Sequence, residues 1–189
     1  MTGGKLVIVS GPSGAGKSTI VKHLLSNTDY NLTFSVSACS RKMREGEVDG
    51  KDYHFLSIDS FKTKIDDNEF LEWEEVYPNS YYGTLRTEVE SLRSSGHNVI
   101  FDVDVMGGIN IKRHYKELSI SIFVNPPSLE DLEARLKARN TESEEDIARR
   151  LRKSKMEIIY GKRFDHIIVN SKLEDAFAEA DPLVGNFLM

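Results

Sequence analysis

Residues 6–18 read Leu-Val-Ile-Val-Ser-Gly-Pro-Ser-Gly-Ala-Gly-Lys-Ser, and this stretch determines the predicted fold. Its first five residues are mostly β-branched and apolar, which is typical of a buried strand in a parallel sheet. Residues 11–18 fit the pattern G-x-x-x-x-G-K-[ST], and the apolar side chains that follow recur at helical spacing. The order of strand, glycine-rich loop and helix predicts a phosphate-binding loop rather than an ordinary glycine turn between two core elements.

The predicted loop contains the groups needed to hold a nucleoside triphosphate with Mg²⁺. Successive backbone N–H groups of a glycine-rich turn can close around a phosphate, and the positive end of the following helix strengthens the attraction. Lys17 supplies a mobile positive charge for the outer phosphates, and the hydroxyl of Ser18 suits Mg²⁺, which keeps most of its water ligands. The loop residues predicted to bind the triphosphate are Gly11, Pro12, Ser13, Gly14, Ala15, Gly16, Lys17, Ser18 and Thr19.

Length and composition indicate one globular domain without a membrane segment. The chain has 189 residues, which is enough to bury a sizeable core, and its net charge of −5 argues against a general nucleic-acid surface. Cys39 is the only cysteine in the sequence, so no internal disulfide is expected and a reducing cytoplasm is favoured. The first strand starts close to Met1 and no apolar run has membrane-spanning length, so we expect a cytoplasmic protein without a signal peptide.

Apolar strands that alternate with helical segments predict an α/β fold, in which helices cover both faces of a parallel sheet. Buried strands are predicted at residues 6–10, 99–102, 118–124 and within 165–170, with further strands at 32–39, 53–55 and 70–77. Helices are predicted over 19–26, from 58, and over 84–95, 106–115, 128–138, 143–160 and 173–188. Thr84 and Ser128 are the predicted N-terminal caps of two of these helices.

Two clusters outside the loop are candidates for a second ligand site. Arg41 and Arg44 follow Ser37 in a polar segment, and guanidinium groups match phosphate oxygens; the alternative is a pair of solvated loop charges. Asp102 ends the predicted strand 99–102, and Asp104 follows it closely. In open α/β sheets, ligands bind at the carboxyl ends of the strands, where these two acids lie. An acid at this position can hold Mg²⁺ through water or orient an arginine, whereas the alternative role is to cap a helix.

A third cluster of arginines lies in the charged segment 128–160. Arg135 and Arg139 are four residues apart on one predicted helix, and Arg149 and Arg150 are on the next. In one interpretation these side chains reach a phosphate group that is being transferred. In the other they belong to a salt-bridged surface helix, because acids precede Arg149 and Arg150 by four residues.

Together these segments resemble the guanylate kinases, nucleoside-monophosphate kinases of the P-loop class. The resemblance covers nearly the whole chain in order, through GPSGAGKST at 11–19, S-x-x-x-R-x-x-R at 37–44, GEVDGKDYHF at 46–55, FLEWEEV at 70–76, YYGT at 81–84, DVDV at 102–105, PPSLEDLEARL at 126–136 and IIVN at 167–170. It implies an enzyme that transfers the γ-phosphoryl group of ATP, as its Mg²⁺ complex, to GMP and dGMP. It also implies a single domain with a P-loop core at 1–33, 89–127 and 161–189, an inserted α+β GMP-binding lobe at 34–88 and a helical lid at 128–160.

The resemblance assigns further residues to the two nucleotide sites. Those predicted to line the GMP site are Ser37, Arg41, Arg44, Tyr53, Glu72, Tyr82, Thr84, Asp102 and Asp104. Those implied to act on the transferring phosphoryl group are Lys17, Arg41, Arg44, Arg135, Arg139 and Arg150. Asn170 and Ser171 are implied to lie near the base of ATP. Asp102 is predicted to assist Ser18 at Mg²⁺ through a water molecule.

The chemistry of guanine supports this assignment independently. Guanine presents two adjacent donors, N1–H and the N2 amine, and a carboxylate such as Glu72 can accept from both, whereas adenine presents an unprotonated nitrogen there. We therefore hypothesise that Glu72 recognises guanine. The accepting phosphate oxygen of GMP is already anionic near neutral pH, so the predicted reaction needs no general base.

The chain departs from the usual guanylate kinase pattern at a few positions. Cys39 stands where threonine is common, and Met43 and Glu45 replace prolines. The segment before Tyr81 is one residue longer than usual, and residues 106–108 are Met-Gly-Gly. None of these changes removes a charged group that the chemistry needs.

Three other functions fit parts of the sequence. A GTPase would use the D-x-x-G pattern of residues 104–107, but no Asn-Lys-x-Asp motif is present. A non-catalytic, peptide-binding module of the same family would typically have lost the phosphate-binding loop, which is intact here. A kinase for AMP, dTMP or CMP is the third alternative. No nucleic acid, membrane or obligate protein partner is expected.

Overall fold

The computed structural model describes residues 3–138 and 143–189. Within this part of the chain the strands are β1 (Leu6–Ser10), β2 (Leu32–Phe34), β3 (Ala38–Cys39), β4 (His54–Phe55), β5 (Phe70–Tyr77), β6 (Ser80–Leu85), β7 (Asn98–Asp102), β8 (Ser119–Asn125) and β9 (His166–Val169). The helices are α1 (Lys17–Ser26), α2 (Ile58–Asp66), α3 (Arg86–Ser94), α4 (Val105–Tyr115), α5 (Leu129–Ala138), α6 (Glu144–Gly161) and α7 (Leu173–Leu188).

A five-stranded parallel sheet, in the order β2-β7-β1-β8-β9, forms the centre of the fold. On one face Val7 and Val9 pack with α1 and α7, and on the other Leu6 and Ile8 pack with α3 and α4. Because helices pack on both faces of the sheet, every residue of β1 is buried, which explains its continuous apolar sequence. The predicted α/β fold is confirmed. The ends of β1 and β7 lie side by side, with Val9 opposite Asp102.

A second sheet has the order β4-β3-β6-β5 and mixes parallel and antiparallel pairs. The prediction of one strand over residues 32–39 is wrong, because β2 joins the parallel sheet whereas β3 joins the second sheet. Between them the N–H of Ser35 still bonds to the carbonyl of Ile100, but the N–H of Val36 bonds to the carboxylate of Glu88. The alternation of side chains gave no sign of this change, since the chain is extended in both strands.

The segment before α3 also differs from its prediction. Strand β6 includes Thr84, which lies opposite Glu72 in β5. Helix α3 therefore begins at Arg86, and the Thr84 hydroxyl donates to the Glu72 carboxylate instead of capping the helix. By contrast, Ser128 caps α5 as predicted, by accepting a hydrogen bond from the N–H of Asp131 at 2.9 Å.

Helices α5 and α6 pack around a small apolar cluster of Leu132, Leu136, Ile147 and Leu151. Helix α5 also lies over the phosphate-binding loop, since a Cβ on Gly14 would be 3.2 Å from the side chains of Leu132 and Leu136. The charged helices are thereby placed beside the loop. In the described parts of the chain, none of the helices has the length and apolar character of a membrane span.

Candidate active site

The phosphate-binding loop is a tight turn between β1 and α1. Gly11, Gly14 and Gly16 have φ angles of 143°, 92° and 100°, a region that favours glycine. Position 11 also has no room for a side chain, because a Cβ on Gly11 would lie 2.3 Å from the carbonyl oxygen of Val124. Lys17 Nζ donates to the carbonyl oxygen of Gly11 at 2.8 Å. Its positive charge is therefore held at the loop.

Ser18 and Asp102 lie together where β1 and β7 end. The Ser18 hydroxyl donates to Asp102 Oδ2 at 2.5 Å. A hydroxyl and a carboxylate are hard oxygen ligands that fit Mg²⁺, which would take its other ligands from water and phosphate. Residues 3–138 and 143–189 contain no cluster of three or more His, Cys, Asp or Glu side chains that could hold a metal. The pair of Ser18 and Asp102 supplies two oxygen ligands that suit Mg²⁺.

Asn170 follows β9 and supports the phosphate-binding loop. It is 3% exposed, and its side chain donates to the carbonyl oxygen of Ala15 at 2.7 Å. The backbone carbonyl oxygen of Asn170 accepts a hydrogen bond from the Arg135 guanidinium at 2.8 Å, so Arg135 reaches the end of β9. Ser171 beside it is exposed. Contact between this pair and the base of ATP stays a prediction.

A cleft of about 430 Å³ lies between the loop, the second sheet and α6. The residues of both predicted nucleotide sites that line it are Gly11, Ser13, Lys17, Ser37, Tyr53, Glu72, Tyr82, Asp102, Asp104 and Arg150. Glu74, Lys153 and Glu157 also line it and were missed from the sequence. Arg44 is exposed and is not part of this lining, and Arg139 lies outside the described residues. Residues from both predicted sites thus line one space, whereas Arg41, Thr84 and Arg135 are not part of its lining.

Arg41 is held by an acid and by aromatic rings. Its guanidinium donates two 2.6 Å hydrogen bonds to the carboxylate oxygens of Glu47 and one of 3.1 Å to the hydroxyl oxygen of Tyr82. The ring centroids of Tyr53 and Phe55 are 4.9 and 5.4 Å from its central carbon. The hydrogen bonds from Arg41 lower the pKa of Glu47 to about 2. Sequence reasoning missed Glu47, although an acid six residues after a candidate phosphate-binding arginine was a usable signal.

Glu72 is buried, with 9% of its surface exposed, and it lines the cleft. Thr84 Oγ1 donates to Glu72 Oε1 at 2.5 Å. Burial raises the pKa of Glu72 to about 7; the hydrogen bond from Thr84 opposes this shift and the charge of Asp104 adds to it. Glu72 can therefore lose its proton near neutral pH and accept hydrogen bonds from a ligand.

Asp104 and Glu74 are two further acids that line the cleft. Asp104 Oδ1 accepts from the N–H of Gly107 at 2.7 Å and caps α4, which was the alternative role for this acid. The neighbouring Asp104 carboxyl, together with burial, raises the pKa of Glu74 above its usual range. Lys153 on α6 donates to Glu74 Oε1 at 2.7 Å, which links α6 to the second sheet. Glu74 and Glu72 are two residues apart in β5, so their side chains lie on the same face of the sheet. This spacing could have identified Glu74 as a cleft residue from the sequence.

Arg150 connects α6 to the phosphate-binding loop. Its guanidinium donates to the hydroxyl oxygen of Ser13 at 2.7 Å. The adjacent Arg149 also lines the cleft, and it pairs with Asp146 at 2.6 Å, three residues before it, rather than with the acid four residues before it that the surface-helix interpretation named. Arg150 therefore reaches the loop from α6, while both arginines line the cleft.

Comparisons with known proteins give one family for this sequence. A family model described as guanylate kinase covers residues 3–185. The chain is 49% identical over 185 residues to the guanylate kinase of Bacteroides thetaiotaomicron, an alignment that covers 98% of this chain and 90% of that protein. It is 45% identical over 184 residues to the guanylate kinase of Porphyromonas gingivalis, with 97% and 98% of the two chains covered.

A solved structure shows the same fold. The guanylate kinase of Anaplasma phagocytophilum superposes with a TM-score of 0.76 at 28% identity, over 100% of this chain and 88% of that one. Sequence motifs, fold and relatives thus agree over almost the whole chain. The chain therefore belongs to the guanylate kinase family.

Proposed function

We propose that this chain transfers the γ-phosphoryl group of ATP to GMP, and to dGMP, and releases ADP and the guanine diphosphate. The observation that carries the proposal is that Lys17 of the phosphate-binding loop and the buried acid Glu72 line one cleft. The names of the relatives support it. In this proposal residues 34–88 are the GMP-binding lobe, residues 128–160 are the lid, and the rest of the chain is the core.

Guanine would be recognised at Glu72. The ionised carboxylate can accept from N1–H and the N2 amine, while Thr84 fixes its orientation through Oε1. Adenine would place an unprotonated ring nitrogen against the same carboxylate. A site built on such hydrogen bonds rejects a base that lacks the donors by about 10⁴-fold or more. We therefore propose GMP, rather than AMP, as the acceptor.

The GMP phosphate would bind beside Arg41. Glu47 and Tyr82 hold the Arg41 guanidinium in one orientation, which reduces the entropy lost when a phosphate binds. Tyr53, whose ring lies against the Arg41 guanidinium, lines the cleft together with Ser37. Arg44, now exposed, would turn toward the phosphate as the lobe closes.

Positioning and charge neutralisation would supply most of the catalysis. Lys17 would bind the outer phosphates of ATP, and Arg150 would stabilise charge on the transferring phosphoryl group. Arg135 and Arg139 would act beside Arg150 as the lid closes and excludes water.

The remaining groups would complete the ATP site. Ser18, with Asp102 through water, would hold the Mg²⁺ that accompanies ATP, and the ion supplies neutralisation of phosphate charge. Asn170 and Ser171 would lie near the base of ATP. No general base is required, because the accepting phosphate oxygen is anionic near neutral pH.

An assay with several monophosphates tests the proposal. The purified chain, with ATP and Mg²⁺, is offered GMP, dGMP, AMP, CMP or dTMP, and ADP formation is measured. We expect turnover with GMP and dGMP, and rates at least about 10³-fold lower with the others. Preference for another monophosphate would reassign the acceptor, and no ADP with any of them would refute the proposal.

The contact between Glu47 and Arg41 leads to a first prediction. Glu47→Ala is expected to raise the KM for GMP by about tenfold, because Arg41 loses the carboxylate that orients it. The KM for ATP should stay the same. Steady-state kinetics measure both values, with Glu45→Ala as the control from the same loop. An unchanged KM for GMP would contradict the orienting role of Glu47.

The raised pKa of Glu72 leads to a second prediction. Below its pKa of about 7 the ionised, guanine-accepting form becomes rarer, so the KM for GMP should rise as the pH falls, by up to about tenfold per pH unit. GMP itself gains a proton near pH 6, and Glu72→Gln retains only that effect. We expect the KM for GMP to depend more steeply on pH in the wild type than in Glu72→Gln. Equal slopes would contradict the assignment.

A further inference from the structure

Gly107, in the first turn of α4, lies against the carboxylate proposed to bind guanine. A Cβ added to Gly107 would be 2.7 Å from Glu72 Oε2, 3.1 Å from its Cδ and 3.2 Å from its Cγ. The backbone gives no reason for glycine here, because Gly107, unlike Gly11, has no left-handed φ. Alanine would also be the better helix former. The lack of space beside Glu72 is therefore the reason that remains for a glycine at this position.

Glu72 has little room to avoid a side chain at this position. Its Oε1 is held by Thr84 at 2.5 Å, and the residue is buried between β6 and α4. Gly107 is fixed as well, since its N–H donates to Asp104 at 2.7 Å. A methyl group would therefore push the Glu72 carboxylate from its place or move α4 away from β5. Hydrogen bonds weaken over a few tenths of an ångström, so either shift would matter for a bound base.

We propose that Gly107 is a positioning residue for base recognition, whose missing side chain leaves the space in which the Glu72 carboxylate is held. This inference rests on the proposed function, because it assumes that Glu72 binds guanine. Gly107→Ala is expected to raise the KM for GMP by about tenfold or more and to leave the KM for ATP unchanged.

Gly108 provides a matched control on the same turn of α4. A Cβ there would lie 2.9 Å from Cζ and 3.0 Å from Cε1 of Phe164, so Gly108→Ala meets the aromatic core instead of the acid. Both substitutions should lower the unfolding temperature, but Gly107→Ala alone should change the KM for GMP. An equal rise in the KM for GMP in both variants would overturn the proposal.

Glu72→Asp separates a positioning role from general damage to the helix. Aspartate is one methylene shorter, so its carboxylate is withdrawn from position 107. In this background Gly107→Ala is expected to change the KM for GMP by less than about twofold, and the unfolding temperature by less than in the wild type. Equal effects in both backgrounds would overturn the proposal. If Gly107→Ala alone does not fold, the double variant should still fold, and its failure to do so would also count against the proposal.

Titration calorimetry with GMP, without ATP, gives a readout besides activity. Wild-type protein that neither binds nor phosphorylates GMP would refute the proposed function, and this role of Gly107 with it. Normal GMP binding by both the wild type and Gly107→Ala would refute the role of Gly107 alone. We expect normal binding by the wild type and by Gly108→Ala, and binding about tenfold weaker or more by Gly107→Ala.

Discussion

Replacement of Glu72 by glutamine is expected to lower kcat/KM for GMP by about 10³-fold or more and to leave the KM for ATP within about twofold. Glutamine keeps the size of the side chain, so the contacts with Thr84 and Gly107 change little. It exchanges one acceptor oxygen for an NH₂ group, which would face a donor of guanine. The variant therefore loses a hydrogen bond and gains a repulsive contact. Steady-state kinetics with each nucleotide varied in turn measure both effects.

Glu75→Gln is the matched control in the same strand. Glu75 is exposed, and its carboxylate accepts from the N–H of Asn79 at 2.8 Å, a bond that a glutamine oxygen can also accept. We expect its kinetics to match those of the wild type. Unchanged GMP kinetics in Glu72→Gln would show that guanine is recognised elsewhere.

Replacement of Arg150 by alanine is expected to lower kcat by about 10³-fold at saturating ATP and GMP, because an arginine on the transferring phosphoryl group has an effect of this size. Arg150 already reaches Ser13 of the phosphate-binding loop, which supports such a role. The unfolding temperature should change little, since the side chain lies in the cleft rather than in the core. Stopped assays at saturating nucleotide measure kcat, and thermal unfolding measures the unfolding temperature.

Arg152→Ala controls for the loss of one charge from the same helix. Arg152 is exposed on α6 and is not part of the cleft lining. We expect wild-type kcat in this variant. A kcat for Arg150→Ala as high as that of Arg152→Ala would mean that α6 takes no part in phosphoryl transfer.

The phosphate-binding loop was predictable because its geometry admits few residues. Gly11 and Gly16 have positive φ angles, and Lys17 directly follows Gly16. The residues that the conformation requires and the residue that supplies the charge therefore lie in one short stretch of sequence. The strands of the parallel sheet were predictable for a similar reason. Helices cover both faces of that sheet, so β1 and β7 contain continuous apolar runs.

The second sheet was less predictable because its strands are short and their partners are distant. Strand β3 has two residues, and its pairing with β6 depends on residues more than forty positions away. Thr84 has a suitable residue type for a helix cap, but its position opposite Glu72 in the sheet determines its actual contact. Local propensity cannot show such pairing.

The missed cleft residues depend on contacts between separate elements. Lys153 meets Glu74 across 79 positions of sequence, and neither residue belongs to a motif that predicts the other. The case of Gly107 is harder, because what matters there is the absence of a side chain beside Glu72. Such a requirement becomes visible only when the surrounding atoms are placed.

The configuration at phosphorus tests most directly the claim that both nucleotides lie side by side in one cleft. ATP with a chiral γ-phosphoryl group, labelled with oxygen isotopes and sulfur, is allowed to react with GMP. The configuration at the β-phosphorus of the diphosphate product is then determined. Direct in-line transfer between adjacent nucleotides predicts inversion. Retention would require two displacements through a phosphorylated side chain and would contradict the claim.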